Sequence, residues 1–365
     1  MPGRFAERLL GATQGTAEAG IAALLVAPSP DLVYLTGYDP PPLERLTMLS
    51  LVPGREPILF VPRLENLRAA ESPAGAQLRI ATWSDGQDPY AAAARLLPAQ
   101  GSVGVTDRML AVHLLGLQGA IGGAEFVSGS AVVSDLRVVK DAGELERLAR
   151  AGRAADETFR RITQNRLEGR REEDVASEVA ELLVETGHDR ADFGIVASGP
   201  NSASPHHDPG GRTIRPGDAV VMDFGGSFGG YFSDTTRTVA IDEPPKGFSE
   251  VYDVVREAQE EAFRRVRPGV PAEEVDRAAR AVIADAGYGE RFIHRTGHGI
   301  GLEVHEPPYI VEGNAEPLRE GMCFSIEPGI YLEGRFGVRI EDIVAVTVEG
   351  ARRLNRSTRE PLLLG

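Results

Sequence analysis

Short apolar runs alternate with helix-period stretches over residues 1–135. Ala22–Val26, Leu46–Val52, Ile58–Val61, Gln77–Thr82 and Val103–Val105 are short, apolar and rich in β-branched positions, which predicts strands. Pro53-Gly54-Arg55-Glu56 is a turn signal between two of them. Tyr90–Leu97 and Arg108–Gln118 repeat their apolar residues at helical spacing. Strands interleaved with helices predict an α/β domain. It carries no cluster of catalytic residue types, and the aromatic, proline-rich stretch Tyr38–Pro42 reads as a surface loop. The pattern changes at Ser134–Lys140, and a highly charged helix then runs from Ala142 to about Ile162. The boundary is expected near residue 138, giving domains 1–138 and 139–365.

The second domain repeats itself. Glu-Thr-Phe-Arg-Arg-Ile at 157–162 recurs as Glu-Ala-Phe-Arg-Arg-Val at 261–266, and Glu-Asp-Val at 173–175 as Glu-Glu-Val at 273–275. Gly187 is matched by Gly287. Each half reads helix, turn, helix, terminal glycine, then strands bearing carboxylates. That is the mark of a duplication, with a site expected on the axis between the halves.

Composition narrows the class. The chain has 365 residues and a formal net charge of −15. An acidic surface of this size disfavours nucleic-acid and anionic-membrane partners. The only cysteine, Cys323, lies in an apolar run and is expected to be a buried small hydrophobe. One thiol makes no intrachain disulfide, so a reducing, cytoplasmic setting fits. The longest early apolar run, Ala22–Ala27, is far too short to span a bilayer.

Candidate chemistry sits in the last 145 residues, where Asp223, Asp234, His298, Glu327 and Glu341 occupy glycine-flanked strand ends. In Val220–Val239 two strand-like runs flank a glycine-rich turn. With Phe228-Gly229 as the loop, Asp223 lies directly across from Asp234, on the same face, with Cβ atoms about 5 Å apart. A turn centred on Gly334 likewise sets Glu327 across from Glu341. The plain alternative is that Glu341 and Asp342 form an exposed pair beside Arg339. Facing carboxylates repel unless a cation lies between them, and four of them balance two divalent metal ions. His294, His298 and His305 fall among the glycines of HRTGHGIGLEVHE (294–306), but not at the spacing of a zinc helix. GGSFGG is followed by no phosphate-loop Lys-Ser/Thr pair, and no GxSxG elbow is present.

The stretches SGPNSASPHH (198–207), VVMDFGG (220–226), YFSDTTRT (231–238), HRTGHGIGLEVHE (294–306), SIEPGIY (325–331) and GVRIEDIVAV (337–346) together resemble the pita-bread metallopeptidases: prolidase, aminopeptidase P and, more distantly, methionine aminopeptidase. LVYLTGY (32–38) is similar to the creatinase/prolidase N-terminal domain. The resemblance implies an α/β N-terminal domain followed by an α+β pita-bread catalytic domain with a pseudo-two-fold repeat. It implies that Asp223 binds one metal, His298 and Glu327 the other, and that Asp234 and Glu341 bridge. His206 and His305 would contact substrate and the developing tetrahedral centre, with Arg339 and His294 beside them. His207 departs from the family's usual residue. All five ligand positions are filled, unlike creatinase or a metal-free scaffold. Mn²⁺ or Co²⁺ suits an oxygen-rich set, and Zn²⁺ is possible. The implied reaction is cleavage between an N-terminal residue and proline in dipeptides, or in longer peptides as in aminopeptidase P, by a homodimer. A non-prolyl aminopeptidase is the alternative within the same fold.

Overall fold

The computed structural model describes residues 2–365. It separates into two compact units, Met1–Arg137 and Val138–Gly365.

The first unit is built on a six-stranded mixed sheet, in the order Arg79–Trp83, Ile58–Pro62, Met48–Leu51, Ala23–Val26, Gly101–Val105, Ala124–Ser128. The central strands are buried throughout, which is why their sequences are continuous apolar runs rather than alternating ones. Helix Pro30–Thr36, unread from periodicity, has clear end signals. Ser29 accepts from the Leu32 N–H, proline opens the first turn, and Gly37 at φ 69° returns its N–H to Val33. Tyr38, expected in a surface loop, is only 2% exposed and donates to Glu65.

The second unit shows the duplication. Helices Ala142–Ile162 and Glu172–Glu185 are echoed by Phe248–Arg265 and Ala272–Asp285. Asp141 and Glu144 form a reciprocal capping box that starts the first of them. Gly187 and Gly287, at φ 121° and 84°, follow the second helix of each pair. Each helix pair covers its own core. One gathers Phe159, Val179, Met222 and Phe224, the other Tyr252, Val275, Phe324 and Val344. Under the first lie the antiparallel strands Arg190–Ser198, Ala219–Phe228 and Thr235–Ile241. Under the second lie Glu306–Ile310, Gly297–Gly299, Cys323–Ile326 and Asp342–Thr347. The half-sheets join where the Glu341 N–H donates to the Thr236 carbonyl at 3.0 Å and the Arg339 N–H to Thr238 Oγ1 at 3.1 Å. Cys323 is buried, and burial pushes its thiol up to about 12, so it is inert packing. Among the described residues no helix is long and apolar enough to cross a membrane.

Candidate metal centre

The first acidic pair comes from one hairpin, whose register differs from expectation. Its loop is Gly229-Gly230, with φ of 56° and 81°, the paired left-handed values of a tight hairpin turn. The ladder therefore sets Asp223 opposite Thr236, not opposite Asp234. Asp234 instead precedes the paired strand and is the diagonal neighbour of Asp223. A shift of two residues leaves side chains on the same face, because the strand period is two. The opposite-pair geometry was wrong and the shared face was right. Glycine counts misplace such a turn by one residue when three adjoining positions could carry it.

The second hairpin has the expected register. Gly329 pairs with Arg339 on one side and Ile326 with Asp342 on the other, so Glu327 and Glu341 face each other between two ladders. Neither Glu341 nor Asp342 is exposed, which overturns the plain alternative. Asp342 pairs with Arg237, Arg353 and Arg359, while Arg339 pairs with Asp223.

His298 enters from strand Gly297–Gly299. Its Nδ1 lies 3.1 Å from the Gly299 carbonyl and donates there, which turns Nε2, the other ring nitrogen, toward the carboxylates. Nε2 stands 3.2 Å from Glu327 Oε1 and 3.6 Å from Asp234 Oδ2. Ligand atoms of Asp234, His298 and Glu341 all lie within 4.8 Å of one another. A Cβ on Gly297 would sit 1.8 Å from the Ser325 carbonyl, so only glycine admits this approach.

All five residues line one cavity of about 700 Å³, together with His206, His294, Arg295, His305 and Arg339. Burial, and then repulsion from Glu341, Asp223 and Glu327, raises Asp234 well above the usual carboxylate range. Burial and the charges of Glu327 and Asp223 do the same to Glu341. Burial opposes ionisation of Glu327 too, but the His298 hydrogen bond and charge outweigh it and bring it to about 2. Asp223 Oδ1 and Glu341 Oε1 are buried and find no hydrogen-bond partner among the described residues. Buried carboxylate oxygens without donors, in a cluster this dense, are the donor set that divalent cations require.

The surrounding histidines separate by role. His206 lines the cavity, whereas His207 turns to the buried carboxylate of Glu172 at 2.8 Å. The His305 ring stands edge-on to His298 with centroids 4.1 Å apart. Burial, then the charge of His298, depresses His305 to about 4, so its imidazole is neutral at pH 7. His294 donates from Nδ1 to the Arg295 carbonyl and accepts the Tyr331 hydroxyl proton at Nε2, at 2.7 and 2.8 Å. Arg339, 2% exposed, donates to Asp223 at 2.5 Å, Tyr331 at 2.8 Å and Thr236 at 3.1 Å. Motif reading missed Thr236, Tyr331 and Ser325 as partners of these groups, although all three lie inside the motifs. It also passed over Arg295, whose guanidinium stacks on Tyr309 at 4.5 Å and has no ion-pair partner among the described residues.

Comparison with known proteins agrees with this geometry. Metallopeptidase family M24 matches residues 146–348, and the creatinase/prolidase N-terminal domain matches residues 8–139. A probable dipeptidase PepE of Mycobacterium tuberculosis is 47% identical over 364 residues, 99% of this chain and 96% of that protein. An Xaa-Pro dipeptidase of Lactobacillus delbrueckii is 37% identical over 351 residues, 94% of this chain and 95% of that one. The crystal structure of dipeptidase PepE from Mycobacterium ulcerans superposes with a TM-score of 0.95 at 45% identity, covering 100% of this chain and 98% of that one. The chain belongs to metallopeptidase family M24, and carries the creatinase/prolidase N-terminal domain ahead of its catalytic unit.

Proposed function

We propose that this chain is an Xaa-Pro dipeptidase, hydrolysing the bond between an N-terminal residue and proline with two divalent metal ions. The observation that carries the reading is the five-residue cluster with donorless buried carboxylate oxygens, in a chain whose relatives include Xaa-Pro dipeptidases. Asp223, Asp234, His298, Glu327 and Glu341 would hold the ions, as the residues of these two half-sheets that meet in one cavity. Bound metals supply a Lewis acid and an activated water at neutral pH. Mn²⁺ or Co²⁺ fits this oxygen-rich set, with Zn²⁺ as the softer option.

The chain's own groups do the rest. His206 and neutral His305 donate to the carbonyl oxygen as charge builds there. Glu327 is ionised at neutral pH, and a carboxylate there is able to take a proton and pass it to the leaving proline nitrogen. Arg339 fixes Asp223, and His294 steadies Tyr331 within the same network. An imide nitrogen has no N–H, so recognition has to come from elsewhere on the substrate. Arg295 offers an unpaired cation to the free carboxylate of a dipeptide, which favours the dipeptide over longer chains. The protein works in the cytoplasm as a homodimer.

The test is a peptide panel with Mn²⁺ or Co²⁺: Ala-Pro, Ala-Pro-Ala, Ala-Ala and Met-Ala-Ser. Ala-Pro is expected to be cleaved fastest. Faster cleavage of Ala-Ala overturns the prolyl specificity, and faster cleavage of Ala-Pro-Ala moves the assignment to an aminopeptidase acting on longer peptides.

A further inference from the structure

Behind the carboxylate cluster lies a cation that the proposed chemistry does not use. Arg237 is 1% exposed, and its guanidinium is bonded to three separate segments. On the first half-sheet, Nη1 donates to the Thr236 carbonyl at 2.9 Å. On the second, the same nitrogen donates to the Glu341 carbonyl, and Nη2 donates to Asp342 Oδ1 at 2.6 Å. From the C-terminal segment, the carbonyls of Ser357 and Thr358 accept at 3.0 and 2.8 Å. The residues it grips on both sides are those of the site itself. Thr236 Oγ1 donates to Glu341 Oε2 at 2.7 Å, and the Glu341 N–H donates to the Thr236 carbonyl at 3.0 Å.

We infer that Arg237 is a positioning residue that locks the two halves of the catalytic unit together and thereby sets the spacing of the metal-holding carboxylates. The carboxylates divide across this junction: Asp223 and Asp234 belong to the first half, Glu327 and Glu341 to the second. Arg237 adds to the direct Thr236–Glu341 bonds and to the bonds of Arg339 with Asp223 and Thr236, and it ties that junction to the C-terminal segment. Only arginine has the planar set of donors to reach carbonyls in several directions and a carboxylate at once. Asp342 is not left bare by loss of Arg237, because Arg353 and Arg359 each approach its Oδ2 at 3.2 Å. That surplus separates a role in stability from one in positioning. Arg359 shares the Asp342 partner but donates to neither Thr236 nor Glu341.

The inference rests on the metal-ligand reading, and the experiment keeps the two apart. The metal-free full chain is titrated with Co²⁺, following heat and the visible absorption of the bound ion. Absence of Co²⁺ binding by the unaltered chain defeats the ligand reading. If the unaltered chain binds, Arg237→Lys, folded by circular dichroism, is expected to bind Co²⁺ about 10–100-fold more weakly. Its visible spectrum is expected to change as ligand geometry loosens. Arg359→Gln is expected to lower thermal stability while leaving Co²⁺ affinity and spectrum unchanged. Wild-type Co²⁺ affinity in Arg237→Lys overturns the inference. So does an equal loss in Arg359→Gln, which would mark general loosening. Should Arg237→Lys fail to fold, Asp342→Asn takes its place. It keeps the side-chain shape and removes the charge that anchors Nη2, and normal Co²⁺ binding by that variant overturns the proposal equally.

Discussion

The first half of the catalytic unit delivers both of its acids on one tight hairpin, whereas the second half delivers two glutamates on a longer hairpin and a histidine from a separate strand. In the first half a two-glycine turn brings the strands straight back, and short aspartates suffice. In the second, Pro328 and a longer loop open the ladder between Ile326 and Gly329, and longer glutamates cross the gap. Duplicated helices have thus kept their spacing while the strands beneath them diverged in chemistry. The lesson is that pseudo-symmetry here preserves a location rather than a ligand set. Each half contributes two of the candidate ligand carboxylates, but only the second contributes the candidate imidazole ligand and the unpaired Arg295.

If both halves hold both metals, removing one carboxylate from either should be equally damaging. Asp234→Ala and Glu341→Ala are each expected to lower kcat/KM by more than the roughly 10²–10³-fold typical of losing one transition-state donor. Bound metal, measured by elemental analysis, should fall below two ions per chain in both. Full metal content in either variant would break the equivalence.

The histidines give the next largest comparison, with one from each half. His206→Ala and His305→Ala are each expected to reduce kcat by about 10²–10³-fold with metal content intact. An unchanged kcat in one would assign the developing charge to the other half alone. Arg295 belongs to the second half only. Arg295→Gln should raise KM for Ala-Pro by roughly 10–100-fold, the loss of one charge-assisted hydrogen bond of about 1.5–3 kcal/mol. It should leave Ala-Pro amide, which lacks the carboxylate, nearly untouched.

Metal removal tests how strongly the halves repel when bare. Burial and mutual repulsion raise Asp234 and Glu341 in the metal-free fold. Above roughly pH 4, where free carboxylates ionise, that fold holds protons the unfolded chain releases. Its stability therefore falls as pH rises through the raised folded values. Denaturation of the metal-free chain at pH 5 and pH 8 should show the loss. Metal at about 1,000 times its Kd should add about 4 kcal/mol. A metal-free chain more stable at pH 8 would contradict the repulsion. The smallest effect is expected at the second hairpin's turn. Gly334 has φ 73° and open space around its missing side chain, so Gly334→Ala should cost only the backbone strain of about 1–2 kcal/mol, read from urea denaturation.

Much of this was legible locally. The helix Ala142–Ile162 was legible from its long, highly charged stretch after the change of pattern at Ser134–Lys140. The repeated Gly187 and Gly287 marked equivalent helix ends. The glutamate register was read from a turn centred on Gly334, the one of Gly329, Gly334 and Gly337 that takes a left-handed φ. The aspartate register could not be read, because Phe228, Gly229 and Gly230 offered competing turns. Arg295 and Arg237 were invisible for a different reason. An arginine in a motif looks the same whether it is paired or free, and only its three-dimensional neighbours say which.

By itself the sequence determined many of the elements, the duplication and the faces that the candidate acids occupy, because periodicity and turns act between residues close along the chain. Only the tertiary structure decided that Asp223 faces Thr236, that His206 rather than His207 enters the cavity, and that Arg237 ties the halves together. Those outcomes depend on how two separately cored halves pack, and contacts between residues about a hundred positions apart leave no local pattern to read.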